Sequence, residues 1–256
     1  MKQLAYLIPL VASVMLGCSV QKSAPVVAKQ TFTYDYKTSN TTKLGSAETV
    51  LSLIRPAYAA SFEYKGIDVF ENFRKNISND VEELLIDKGF RLKGPFQSFD
   101  EMVFNDKKDA DVAIEIEIDP DFTAAQGGWK VRISTMDKLM PSSTKFVAPW
   151  YSYQGTVSLI GKINIVGKEP LSGEKLWIKS VEIPSIQNIA INTTSKLTTM
   201  ELNDEFLNDP GVYNALGSAL QQQYKGIMQK MDAHFDPQEF TSLKPQIKEL
   251  KAKKGY

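Results

Sequence analysis

The 256-residue chain has one cysteine and one histidine, and its 30 Lys and Arg balance 30 Asp and Glu. Each scarcity excludes a class of chemistry. A single imidazole cannot build the zinc sites that need several. A Ser-His-Asp arrangement would have to use His234, in Lys230-Met231-Asp232-Ala233-His234-Phe235, which reads as a helix end. A cationic or polar residue is ordinary there. One thiol leaves no disulfide, so stability has to come from an apolar core, built as one large domain or two small ones. A balanced charge with no basic patch argues against nucleic-acid binding, which leans on clustered Lys and Arg. No phosphate-cradling, dinucleotide-binding, zinc-protease or nucleophile-elbow string occurs. No catalytic residue, metal site or cofactor is therefore assigned, and the chain is expected not to be an enzyme. Beyond the N-terminal segment no apolar run reaches the length of a membrane-spanning helix.

What the chain does have is a placement. Its one cysteine closes an apolar run: Met1-Lys2, then apolar Leu4 to Leu16, then Gly17-Cys18. This is the layout of a secretory signal peptide, too short for a spanning helix, which takes about 20 apolar residues. A plain signal with an incidental cysteine is the alternative. Met15-Leu16-Gly17-Cys18 resembles the lipobox of bacterial lipoproteins, with Met15 where leucine is commoner. The resemblance implies that the Cys18 thiol takes a diacylglycerol, that the chain is cut before it, and that the new amine is acylated, palmitate being the expected acyl group. Ser19 rather than Asp follows, which is similar to the enterobacterial rule for sorting to the outer membrane. Residues 1–17 are thus expected as signal peptide and 18–46 as a lipidated flexible tether. About 28 flexible residues span roughly 30 Å. Phe32, Tyr34 and Tyr36 within the tether suit one edge strand.

Residues 47–256 are expected to form a single α+β domain. Thr49 to Ile54 reads as a short buried strand stopped by Arg55-Pro56. Phe70, Phe73, Ile77, Val81 and Leu84 share one helical face, with Gly89 at the C-cap position. Phe90–Phe99 is a strand or loop and Asp100–Lys108 a short helix. Val112, Ile114, Ile116 and Ile118 alternate with Ala113, Glu115, Glu117 and Asp119, the pattern of a half-buried strand with a wet acidic face. Asp119-Pro120-Asp121 is expected to end it, and Trp129–Ser134 to return as a strand after the Gly127-Gly128 turn. Val157, Leu159, Ile163 and Ile165 mark a long strand that Leu176–Ile183 pairs with as a hairpin. Residues 184–208 read as irregular. Tyr213, Leu216, Leu220, Ile227 and Met231 mark a further helix, and Pro237–Lys254 a shorter basic one. The order predicts a mostly antiparallel sheet, with a long helix in the N-terminal half and a C-terminal helix packed on it.

Three constellations invite function. The carboxylates of Glu115, Glu117 and Asp119 are explained by the alternation alone, and the Asp119-Pro120-Asp121 string lacks the spacing of a calcium loop. The basic tail, Lys244, Lys248, Lys251, Lys253 and Lys254, reads as a solvated face. The aromatic group Trp129, Phe146, Trp150, Tyr151 and Tyr153 carries the most. Such rings stack on sugars, serve protein interfaces, or pack as core. Trp150, Tyr151, Tyr153 and Trp129 are accordingly the candidate ligand residues.

Leu53-Ile54-Arg55-Pro56-Ala57-Tyr58, Glu169-Pro170-Leu171-Ser172-Gly173-Glu174-Lys175-Leu176 and Lys248-Glu249-Leu250-Lys251-Ala252-Lys253-Lys254, with the lipobox, resemble the neuraminyllactose-binding haemagglutinin family of lipoproteins. This is the flagellar-sheath adhesin family of Helicobacter type. The resemblance spans most of residues 47–254, with about 121–153 divergent. It implies an outer-membrane lipoprotein of the cell surface or flagellar sheath. The family's proposed sialic-acid motif is a short basic run after an Asp-Pro pair. Here that stretch is Asp119-Pro120-Asp121-Phe122-Thr123-Ala124-Ala125-Gln126, without Lys or Arg, and a sialic carboxylate wants a cationic or amide partner. That function is not carried over, and Cys18 alone transfers. The expectation is a structural or interaction component with an envelope or flagellar protein partner; the alternative is a surface adhesin that binds glycans through the aromatic loop.

Overall fold

The computed structural model describes residues 27–38, 49–125, 127–132 and 148–254. Cys18, the signal segment 1–17 and Phe146 lie outside the described residues.

The strands are β1 (Val50–Ile54), β2 (Ala57–Tyr58), β3 (Arg91–Phe96), β4 (Val112–Ala124), β5 (Trp129–Arg132), β6 (Trp150–Lys168) and β7 (Lys175–Asn192). The helices are α1 (Asp68–Asp87), α2 (Phe104–Asp109), α3 (Asp204–Asn208), α4 (Pro210–His234) and α5 (Pro237–Lys254), with a 3-10 turn at Phe99–Glu101. The fold is α+β with one mixed, mostly antiparallel sheet. Its order is β3-β1-β4-β6-β7, with β2 beside β4 and β5 beside β6. β1 pairs in parallel with β3 and with β4, and α1 supplies the crossover that parallel neighbours need. β4, β6 and β7 run antiparallel.

One face of the sheet is apolar and covered. Val112, Ile114, Ile116 and Ile118 on β4, Val157, Leu159, Ile163 and Ile165 on β6, and Trp177, Val181 and Ile183 on β7 are all buried. Helices α1 and α4 lie over it: Phe73 meets Tyr224 edge-on at 5.9 Å, and the Tyr224 hydroxyl donates to Asp80 at 2.7 Å. On the open face Lys168 pairs with Glu115 at 2.6 Å, Lys162 stands 3.8 Å from Asp119, and Asn164 donates to Glu117 at 3.3 Å. The acidic face is solvated, as the alternation requires.

Four expectations are corrected. First, β4 does not end at Asp119-Pro120-Asp121 but runs through it to Ala124. Proline is tolerated because Gly161 stands opposite Pro120; a Cβ there would lie 2.6 Å from the Asp119 carbonyl oxygen. Second, Trp129–Arg132 does not return against β4. It continues along the same edge of β6, pairing Trp129 with Tyr153 and Arg132 with Trp150. Third, residues 184–192 are not irregular, since β7 extends to Asn192. Beyond Ile183 its pairing slips twice, placing Ile183, Ile186 and Ile189 opposite Gly161, Leu159 and Val157. A spacing of three replaces two at each bulge and erases the alternation.

The fourth concerns residues 27–38, expected within the flexible tether over 18–46. They lie extended across α1 and α4, and Phe32, Tyr34 and Tyr36 are buried. They do not form the edge strand expected of them. Gln30 N–H donates to Asn214, Asn214 donates back to the Ala28 carbonyl, and Gln221 donates to the Thr33 carbonyl. At the far end the Tyr36 hydroxyl donates to Asp232 at 2.6 Å, which also pairs with Lys88 at 2.7 Å. This segment is a strap.

The Glu169–Glu174 turn between β6 and β7 shows why its string is distinctive. Glu169 is buried and its carboxylate accepts the Leu171 and Ser172 N–H groups, while Gly173 takes φ +72°.

Candidate functional site

β5 and the start of β6 sort the four candidate aromatics by strand parity. Tyr151 and Tyr153 point to the core side; Trp150, Ser152 and Gln154 point the other way. Tyr153 is fully buried. Its hydroxyl donates to the Thr156 carbonyl at 2.7 Å, and burial raises its pKa. Gly128 and Gly155 lie against its ring, where a Cβ at Gly128 would sit 2.4 Å away. Trp129 meets Tyr153 edge-on at 5.1 Å and Phe206 at 5.4 Å. Tyr151 is half-buried, packs against the core and exchanges backbone hydrogen bonds with Leu197. Three of the four rings are therefore committed to packing.

Trp150 alone opens outward, and with it comes a cleft of about 370 Å³ at the end of the sheet. Arg132 and Trp150 form its rim as a cross-strand pair. Ser152, Gln154, Asn192 and the segment Thr193–Lys196 complete it. Lys196 Nζ sits 5.3 Å from the centre of the Trp150 ring. Arg132 Nε makes a long, 3.4 Å contact with Ser152 Oγ. Lys130 donates to Gln154 beside it at 2.6 Å.

The far wall is held by Asp209, the buried N-cap of α4. Its carboxylate accepts from Gly211 N–H and from the N–H groups of Thr194 (2.9 Å) and Ser195 (2.6 Å). A Cβ at Gly211 would lie 2.1 Å from the Asn192 carbonyl oxygen, so glycine is needed for α4 to begin this close to the end of β7. The Thr194-Ser195-Lys196 segment is thereby pinned across from Arg132.

Among the described residues the cleft carries two cations, one aromatic face, hydroxyls and amides. Two cations beside hydroxyl and amide groups suit the binding of an anionic group. Among the described residues no group of three His, Cys, Asp or Glu is placed to hold a metal. The sequence singled out Trp150 and missed Arg132, Lys196, Ser152 and Gln154. Parity alone would have grouped Trp150 with Ser152 and Gln154. Lys196 had no local signal, because a carboxylate thirteen residues downstream brings it in.

The comparisons agree with the resemblance seen in the sequence. No family model matches the chain. The neuraminyllactose-binding hemagglutinin of Helicobacter pylori strain 26695 is 25% identical over 227 residues, covering 83% of this chain and 81% of the relative. The chain is similar to the neuraminyllactose-binding haemagglutinins. The protein of that name from strain J99 is 26% identical over the same shares. A crystal structure described as a neuraminyllactose-binding hemagglutinin homologue from Helicobacter pylori superposes with a TM-score of 0.53 at 12% identity. It covers 87% of this chain and all of that one, so the fold is shared. In this chain the stretch Asp119–Ala124 is an ordinary strand of the sheet, and the cations of the cleft are Arg132 and Lys196.

Proposed function

We propose that this protein is a lipid-anchored, non-enzymatic component of the outer membrane or flagellar sheath, presenting its α+β domain to an envelope or flagellar partner. The observation that carries the reading is the strap. A chain whose lipid-bearing residue is Cys18 enters its folded domain at Val27 and is stitched along α1 and α4, so pulling on the anchor loads a packed segment. The names of the relatives, which describe agglutinating surface proteins, support the same compartment.

The test is Cys18→Ser in cells fed an alkyne-tagged palmitate. The native protein should take the label and fractionate with outer membranes. The variant should lose the label and wash off outer membranes in high salt, and a variant that stays membrane-bound in high salt overturns the anchor.

A second reading is a surface adhesin, and one observation favours it. Trp150 can stack a sugar ring while Arg132 and Lys196 meet an acidic group. Binding on a glycan array that Trp150→Ala removes would support it; an array with no signal would end it.

A further inference from the structure

We infer that the Arg132–Lys196–Trp150 cleft faces the membrane that holds the protein and binds the phosphates of its acidic lipid headgroups. The inference rests on the reading of Cys18 as the anchor. Its first ground is reach. With the strap packed from Val27 onward, residues 18–26 join Cys18 to it, and nine residues in any conformation span at most about 30 Å.

The second ground is where that stretch attaches. Lys29 Nζ contacts Asn208 at 3.0 Å and Asp68 at 2.9 Å, and the Ala28 carbonyl accepts from Asn214. Asn208 is followed by Asp209, whose carboxylate grips Thr194 and Ser195 on the cleft wall. The entry of the strap and the wall of the cleft are therefore joined at one end of the molecule, the start of α4.

The third ground is the surface there. Val27, two residues before Lys29, and Met200, four residues after Lys196, are exposed. A half-buried tryptophan beside two cations without an ion pair among the described residues is the composition of an interfacial surface. Among the described residues the nearby carboxylates do not line the cleft: Glu205 accepts from Thr198, Asp209 is consumed in capping, and Glu201 and Asp204 are outside the lining.

The experiment uses the full-length protein in vesicles of phosphatidylcholine, with or without phosphatidylglycerol, after the mass of its N-terminal peptide has been read for acylation. Tryptophan quenching by headgroup-labelled lipid reports proximity, and the Trp150→Phe variant identifies the signal. The expected result is Trp150 quenching that phosphatidylglycerol strengthens. Unacylated Cys18→Ser protein should sediment with acidic vesicles, and Arg132→Gln with Lys196→Gln should weaken that binding about thirty-fold, given about 1 kcal/mol per basic residue at an anionic surface. Failure of acylation alone removes the anchor reading, and the sedimentation arm still decides the cleft. The inference is overturned if acidic lipid has no effect, if the double variant sediments as the parent does, or if 3′-sialyllactose displaces the protein where added salt does not.

Discussion

Asp80 is buried on α1 and accepts the Tyr224 hydroxyl at 2.7 Å and the Tyr36 backbone N–H. Burial raises its pKa against the lowering effect of those hydrogen bonds, and the nearby Glu83 and Asp35 add to the rise. The folded state therefore holds the Asp80 proton to higher pH than the unfolded chain does. Between the ordinary carboxylate range and the raised value the native state binds more protons, so this residue's contribution to stability falls as pH rises. Asp80→Asn keeps an acceptor for Tyr224 and removes the charge. Denaturant melts across the acidic range should show the variant gaining on the parent as pH rises towards neutral, with the two closest at the acid end. A gap that narrows with rising pH would contradict the sign. At this scale the sequence was legible where chemistry is local. The alternation of Glu115, Glu117 and Asp119 announced a wet face, and the strand is built that way. Arg132 and Lys196 were illegible because a register pair and a capping carboxylate bring them together, and neither contact leaves a pattern in one segment.

Among the elements, the strap depends on one glycine of α4. A Cβ at Gly217 would lie 2.2 Å from the Phe32 ring, so the ring occupies the space of the missing side chain. Helix propensity alone makes Gly→Ala in α4 favourable by about 1 kcal/mol. At Gly226 nothing lies within 4 Å of the added Cβ, and Gly226→Ala should stabilise by about that amount. Gly217→Ala should reverse the sign, because overpacking costs about 1–3 kcal/mol. The pair, compared by urea midpoint, separates strap docking from helix formation, and amide exchange over 27–38 should quicken only in Gly217→Ala. Equal stabilisation of both variants would mean that Phe32 does not occupy that site. The strap was read as tether because its three aromatics at every second residue, with polar neighbours, have no partner within their own segment. Their partners are on α1 and α4, 39 and more residues away. The long helices α1 and α4 were legible from 3.6-residue spacing, and β6 from its alternation. β7 was readable only as far as Ile183, where the bulges opposite Gly161, Leu159 and Val157 begin, and α3 fell in the stretch read as irregular.

For the whole molecule, the anchor and the cleft are coupled by the length of chain between them. The docked strap shortens the chain between Cys18 and the folded domain from the expected 18–46 to 18–26, which caps the distance between anchor and domain at about 30 Å. Weak contacts gain at that range: about 1 kcal/mol per basic residue holds a free domain only at high lipid concentration, and the anchor raises the effective concentration of the membrane. Inserting a Gly/Ser segment of about twenty residues after Gln21 therefore separates the two devices. The lipid anchor is untouched, and the protein should still fractionate with membranes. Effective concentration falls with roughly the −3/2 power of linker length, so extending nine residues to about thirty should reduce cleft engagement about sixfold. The lengthened protein should show that loss in Trp150 quenching in acidic vesicles, with no loss in acylation or thermal stability. Quenching that ignores linker length would mean that the surface finds the membrane by its own affinity, and quenching absent in both would return the cleft to a soluble ligand.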